Sequence, residues 1–222
     1  MSMRVWAAAA VAGLSPVCLG DLLTQVDTFD TDTMNWDSSF GTSTTNWIAT
    51  GGPGGDGDAF MKIGTNGASS GAGSRLGAWN QAQWQGDYIA LGITAFQVDI
   101  AGFEGPGAEL RMMFLSNLGS VFTTIESVSI PTDGVWRTYT FHIAGSDLVL
   151  LSGLQQYDEA FTDVGRVFIR HQPGDPAGFG GAPAYDGWIG VDNIRVIVPG
   201  TGVLPVIGCG LGVMARRRRS AA

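Results

Sequence analysis

The chain has 222 residues, 45% of them hydrophobic and 14% charged, with 34 glycines and two cysteines. Of its twelve lysines and arginines, five stand at the two ends (Arg4, Arg216, Arg217, Arg218 and Arg219), whereas all twenty acidic residues lie between them, so the net charge of −8 becomes −13 over residues 21–199. A middle this acidic repels nucleic acid and favours cations. Cys18 and Cys209 both fall in the end segments, which excludes a thiol nucleophile, a disulfide or a cysteine zinc site from the middle, and the hydrophobic content argues against disorder.

The first twenty residues read Met-Ser-Met-Arg, an apolar run over 5–14, and small residues near Cys18 and Gly20, before the chain turns polar at Asp21. Charge, then apolar core, then small residues is the order of a removable secretory signal, so residues 1–20 are predicted to be a signal helix cut near Gly20. Residues 21–198 then carry short β patterns at 25–29, 60–63, 94–100, 109–115, 121–127, 136–143, 166–171 and 188–198. In 94–100, Phe96, Val98 and Ile100 alternate with Gln97 and Asp99, the mark of a half-buried strand. Turn clusters such as Gly-Gly-Pro-Gly-Gly-Asp-Gly-Asp at 51–58 separate the runs, and only 156–164 hints at a helix. The prediction is all-β, an antiparallel β-sandwich or jelly roll, flanked by the signal helix and a C-terminal hydrophobic helix.

In residues 199–222, Pro199-Gly200 stops the last strand, a glycine-rich apolar stretch runs over 203–214, and four arginines follow. The arginines would hold this end on the cytoplasmic side of a membrane, while the prolines and glycines make the apolar stretch a poor permanent span. The segment VPGTGVLPVIGCGLGVMARRRR resembles the PEP-CTERM sorting tails processed by exosortase-type enzymes: a proline motif, a hydrophobic stretch and an arginine cluster, in that order. Val198-Pro199-Gly200 stands where that family has Pro-Glu-Pro. The resemblance implies a sorting signal made of Pro199 and Arg216, Arg217, Arg218 and Arg219. It also implies an exosortase-type enzyme and export machinery as partners, membrane attachment through the tail before processing, and a final place at the cell surface or outside the cell. The competing reading is a plain C-terminal anchor with the same sidedness.

A period-two reading of the last strand puts Asp192 on one face with Trp188, Ile194, Val196 and Val198, where a lone carboxylate would be costly. A bound cation is one remedy; a register break at Asp192 is another. Three features in order, Val-Asp-Thr-Phe-Asp at 26–30, a glycine-rich loop before Phe60-Met61-Lys62-Ile63, and a closing Gly190-Val191-Asp192-Asn193-Ile194, resemble carbohydrate-binding-module-like jelly rolls. In that family the closing-strand aspartate and an acidic residue after the early phenylalanine help hold a structural calcium. The resemblance therefore implies Asp192 and Asp30 as Ca²⁺ ligands, with Asp56 and Asp58 as further oxygen donors, although Gly-Asp-Gly-Asp also reads as a simple turn.

For ligand binding, the outward faces of the strands offer Arg111, Thr138, Thr140, His142, Arg166, Phe168 and Arg170 if Phe141, Val167 and Ile169 point inward. The segment 78–88 adds Trp79, Asn80, Gln83, Trp84, Asp87 and Tyr88. Sugars need aromatic platforms and planar hydrogen-bonding groups, which makes Trp79, Trp84, Tyr88, Arg111, His142 and Arg170 the candidate ligand set; core packing is the other fate of such tryptophans. His142 and His171 carry no catalytic motif around them. A carboxylate pair such as Glu109 and Glu126 would suffice for a glycosidase, but spacing favours no pair. The sequence is thus read as a non-catalytic exported surface or matrix protein, structural or adhesive. A module binding glycan (extracellular polysaccharide) is the first alternative and a secreted glycoside hydrolase the second.

Overall fold

The computed structural model describes residues 21–38, 43–67, 75–179 and 183–200. Its strands are β1 (Val26–Asp27), β2 (Asp37–Ser38), β3 (Thr44–Ile48), β4 (Phe60–Asn66), β5 (Gly77–Asn80), β6 (Ala95–Glu104), β7 (Ala108–Ser116), β8 (Val121–Thr124), β9 (Val128–Ile130), β10 (Arg137–His142), β11 (Leu148–Ser152), β12 (Val164–His171) and β13 (Asp186–Ile197). Single helical turns α1 (Asp21–Thr24), α2 (Tyr88–Leu91) and α3 (Tyr157–Ala160) join them.

The strands form two antiparallel sheets packed face to face. The first runs β10-β6-β13-β4-β3 with β1 on β13; the second runs β11-β8-β7-β12-β5-β2 with β9 on β7. Alternation decides what lies between them: Phe96, Val98 and Ile100 of β6 meet Leu110, Met112 and Phe114 of β7 and Val167 and Ile169 of β12, all buried in one core. Tyr88, Phe96, Phe114 and Phe161 pack at its centre with ring centroids 5.3–6.2 Å apart. Each such ring removed from water contributes about 1.5–3 kcal/mol. Between β6 and β7 the chain reverses at Gly105, whose φ of +107° and whose missing Cβ, 2.7 Å from the Asp186 carbonyl, no other residue tolerates well.

The all-β sandwich and the inward set Phe141, Val167 and Ile169 agree with the sequence pattern. Strands β2, β3 and β5 are short or carry few apolar residues, and pairing to a longer neighbour is what makes them strands; β11 is an apolar run, Leu148 to Leu151, that lies outside the expected β patterns and pairs with β8. The expected strand over 121–127 stops at Thr124, and β9 begins at Val128. Of 156–164 only α3 is helical.

The parity reading of the last strand is corrected. The register shifts between Asp192 and Arg195, with Asn193 at φ +50°. Ile189, Val191 and Ile194 are therefore core residues, whereas Trp188 and Asp192 lie on the outer side of the first sheet. The extra residue of a bulge exchanges the two faces beyond it. The predicted signal helix (1–20) and the apolar stretch with Arg216, Arg217, Arg218 and Arg219 lie outside the described residues. Pro199 and Gly200 follow the last strand and are exposed, and no helix among the described residues is long and apolar enough to cross a membrane.

Candidate functional site

Asp27 is completely buried, and four side chains donate to it: Gln25 Nε2 at 2.6 Å to Oδ1, and Trp36 Nε1, Trp84 Nε1 and Gln83 Nε2 at 2.7, 2.7 and 2.9 Å to Oδ2. Burial pushes this carboxyl above its ordinary range, and the four donors pull it back down. The hub ties β1 to the segment after β5. It also corrects two of the expected sugar contacts. Trp84 is fully buried, its indole N–H spent on Asp27 and its ring edge-on to Phe96 at 5.3 Å. Tyr88 is fully buried too, and its hydroxyl donates to the Trp84 carbonyl at 2.7 Å. Neither presents a face to a ligand. Asp27 itself was missed; its only sequence signal is an acidic residue inside an apolar β pattern.

On the outer side of the first sheet, Asp192 is 1% exposed. Its Oδ1 accepts the Asn193 backbone N–H at 2.7 Å, and the Asn193 amide stands between Asp192 (3.3 Å) and the opposing Asp99 (3.0 Å). Burial, joined by the charges of Asp58, Asp99 and Asp30, pushes the Asp192 carboxyl up to about 7. Left-handed backbone at Phe29 and Asn193 flanks Asp30 and Asp192. These oxygen donors suit a hard cation such as Ca²⁺ in chemistry. As placed they do not close a cage: Asp58 Oδ2 accepts the Gly54 N–H at 2.6 Å inside its own loop, Asp56 is exposed, and no group of three or more carboxylates or histidines among the described residues is poised to hold a metal.

The outer face of the second sheet is built differently. Register carries one row straight across it, Trp79 (β5), Phe168 (β12), Met113 (β7), Thr123 (β8) and Val149 (β11). A second row holds Arg170 opposite Arg111, and a third holds Arg166 opposite Leu115. Arg166 is half-buried, with its guanidinium 4.5 Å from the Trp79 ring centre and 5.8 Å from that of Phe168. Phe179, 46% exposed, meets Phe168 edge-on at 5.4 Å. Arg111 and Arg170 are buried against main-chain carbonyls: Arg111 donates to Thr124 (2.8 Å), Gln172 (3.2 Å) and Gly174 (2.5 Å), Arg170 to Ala177 and Gly178. The Nε atoms of Arg166 and Arg170 are buried without a hydrogen-bond partner.

Trp79, Arg111 and Arg170 are thus brought together, with Arg166 and Phe168. His142 is not: it lies on β10 in the other sheet, exposed, beside a cleft with Glu126 and Asp147. Thr138 and Thr140 go with it. Strand parity was read correctly for both strands, but a period-two pattern does not say which sheet a strand joins. Trp136, Trp188 and Phe103 form an aromatic group on the outer face of the first sheet that is closed by its own contacts. Phe103 stacks on Trp188 at 4.2 Å and Lys62 sits 4.3 Å over that ring from the neighbouring strand on the other side, while Trp136 Nε1 is fixed to the Gly51 carbonyl at 2.9 Å. On Trp79, by contrast, no aromatic ring stacks among the described residues. Glu109 spends its carboxylate on the Ser127 and Ser129 hydroxyls.

No protein-family model matches the chain, and no curated protein matches it. Solved structures with the same fold include an exo-β-agarase (16% identity, TM-score 0.55), of which this chain spans a quarter: 79% of this chain aligns with 25% of that one. They also include the family 11 carbohydrate-binding module of Clostridium thermocellum in complex with a β-1,3-1,4-mixed-linked tetrasaccharide (17% identity, TM-score 0.51), where 78% of this chain covers 93% of the module. A solution structure of that module type, CtCBM11, aligns at 17% identity and TM-score 0.52 over 78% of this chain and 94% of the other. At such identities the likeness shows the fold.

Proposed function

We propose that this chain is a non-catalytic glycan-binding module whose contact surface is the outer face of the second sheet. The observation that carries the reading is the stripe Trp79, Arg166, Phe168: an aromatic ring with no second ring stacked on it, beside a planar donor with an unpartnered buried nitrogen. Aromatic faces stack on the apolar faces of sugar rings, and guanidinium forks bond their oxygens. The fold shared with carbohydrate-binding modules supports this reading above a purely structural or adhesive one. Affinity gel electrophoresis of the whole chain through a panel of soluble polysaccharides tests it. Retardation by at least one polymer, lost in Trp79→Ala, is expected; unretarded migration through all of them refutes it.

Two further parts of the reading rest on the sequence. A structural Ca²⁺ near Asp192 and Asp30, with Asp56 and Asp58 as further oxygen donors, would relieve the cost of ionising Asp192. A cation that binds only the folded state raises the melting temperature with concentration, so Asp192→Asn should abolish a calcium-dependent rise; a rise that persists in the variant removes this site. The tail with Pro199 and Arg216, Arg217, Arg218 and Arg219 would place the module at the cell surface or outside through an exosortase-type enzyme. Intact mass and location, with and without the four arginines, decide between a processed tail and a plain anchor.

A further inference from the structure

From the charge on this face we infer that its glycan is anionic, a polysaccharide bearing uronate carboxylates or sulfate esters; the inference rests on the glycan-binding reading above. Residues 21–199 hold seven cationic residues against twenty acidic ones. Three of the seven, Arg111, Arg166 and Arg170, lie on the outer face of the second sheet within two adjacent strands, and Arg75 reaches its rim at the Phe179 carbonyl. Among the described residues the one ion pair is Arg137 with Asp133, elsewhere on the surface, so none of the three has a carboxylate partner within bonding distance. Glu109, Glu126 and Asp175 act on Arg111 only through space. Burial first, and then the neighbouring Arg75 and Arg111 charges, lower the Arg170 guanidinium to about 10.

The roles divide by exposure. Arg111 and Arg170 are held against main-chain carbonyls and supply a fixed positive field. Arg166, half-buried over Trp79, is the residue that would pair with an anionic substituent while the sugar ring stacks on the indole. A chain of net charge −8 is repelled by polyanions in general. Binding to one therefore needs a local patch of opposite sign, and this is the patch the fold provides.

The test is titration of the whole chain with polygalacturonate (carboxylate), dextran sulfate (sulfate) and unmodified dextran and mixed-linkage β-glucan (neutral), at low and moderate salt. At least one polyanion should bind ten-fold or more tighter than either neutral polymer, weakening with salt, and which one binds tells carboxylate from sulfate. Arg166→Gln should weaken that binding by about ten- to a hundred-fold, Arg166→Lys should restore part of it, Trp79→Ala should weaken it too, and Arg137→Gln, away from the face, should change nothing. Each variant's melting temperature shows whether it is folded. Neutral and anionic polymers bound equally, or polyanion binding indifferent to Arg166→Gln in a folded variant, overturns the anionic inference and leaves glycan binding standing. Failure to bind any of the polymers here and in the electrophoresis panel overturns both.

Discussion

Replacing Trp84 by Phe removes one indole N–H from the Asp27 hub while keeping most of the ring that packs edge-on against Phe96. A hydrogen bond to a charged group is worth about 1.5–3 kcal/mol. Asp27 would keep Trp36 and Gln83 on the same oxygen and Gln25 on the other, so its charge stays partly compensated and the loss belongs at that single-bond scale. The trimmed ring adds a small cavity, whose cost points the same way. For a domain of this size each kcal/mol moves the melting temperature by about 2–4 °C, so Trp84→Phe should melt roughly 3–12 °C lower by circular dichroism. Trp36→Phe should do the same. The double variant should fall short of or exceed the sum of the two, because both indoles serve one oxygen. An unchanged melting temperature in Trp84→Phe, or strict additivity, would refute the idea that a shared buried carboxylate holds this end of the sandwich.

In chelator, the fold should gain stability as pH falls from 8 towards 5.5. The Asp192 carboxyl sits at about 7 in the folded chain against an ordinary value of 3.8, so the stabilising protonated form is lost as pH rises through 7, at a cost of at most about 4 kcal/mol; Asp192→Asn should flatten that slope, and melting curves across pH check it. His171 acts in the opposite sense. Its Nδ1 accepts the Glu109 N–H at 3.0 Å, and burial lowers its proton affinity below that of a free histidine, so its contribution is complete above pH ~6.5 and is lost as pH falls; His171→Gln should remove this acid-side sensitivity. Gly190→Ala would set a Cβ 2.7 Å from Trp136 Cη2 and 3.1 Å from Phe103 Cε2. Overpacking at about 1–3 kcal/mol should follow, seen as a lower melting temperature and a changed tryptophan emission.

Sequence alone determined the class of fold and most of the inner face, since alternation along a strand is a local property: Phe96, Val98 and Ile100 have no other way to be buried together. It also marked Asp192 as an anomaly. Whether an alternation survives to the end of a strand is not local, and the bulge at Asn193, set by how β13 pairs with β6, turned Ile194 and Val196 to the core and left Asp192 with Trp188 on the outer side of the sheet. Sheet membership is likewise decided by pairing, which is why Arg111 and Arg170 share a face with Trp79 while His142 lies on the other sheet. The difference between Trp79 and Trp84, five residues apart in one segment, was equally beyond reach. A tryptophan becomes core or platform according to what stands opposite it, and only the folded chain brings Asp27 to the Trp84 indole and Arg166 over Trp79.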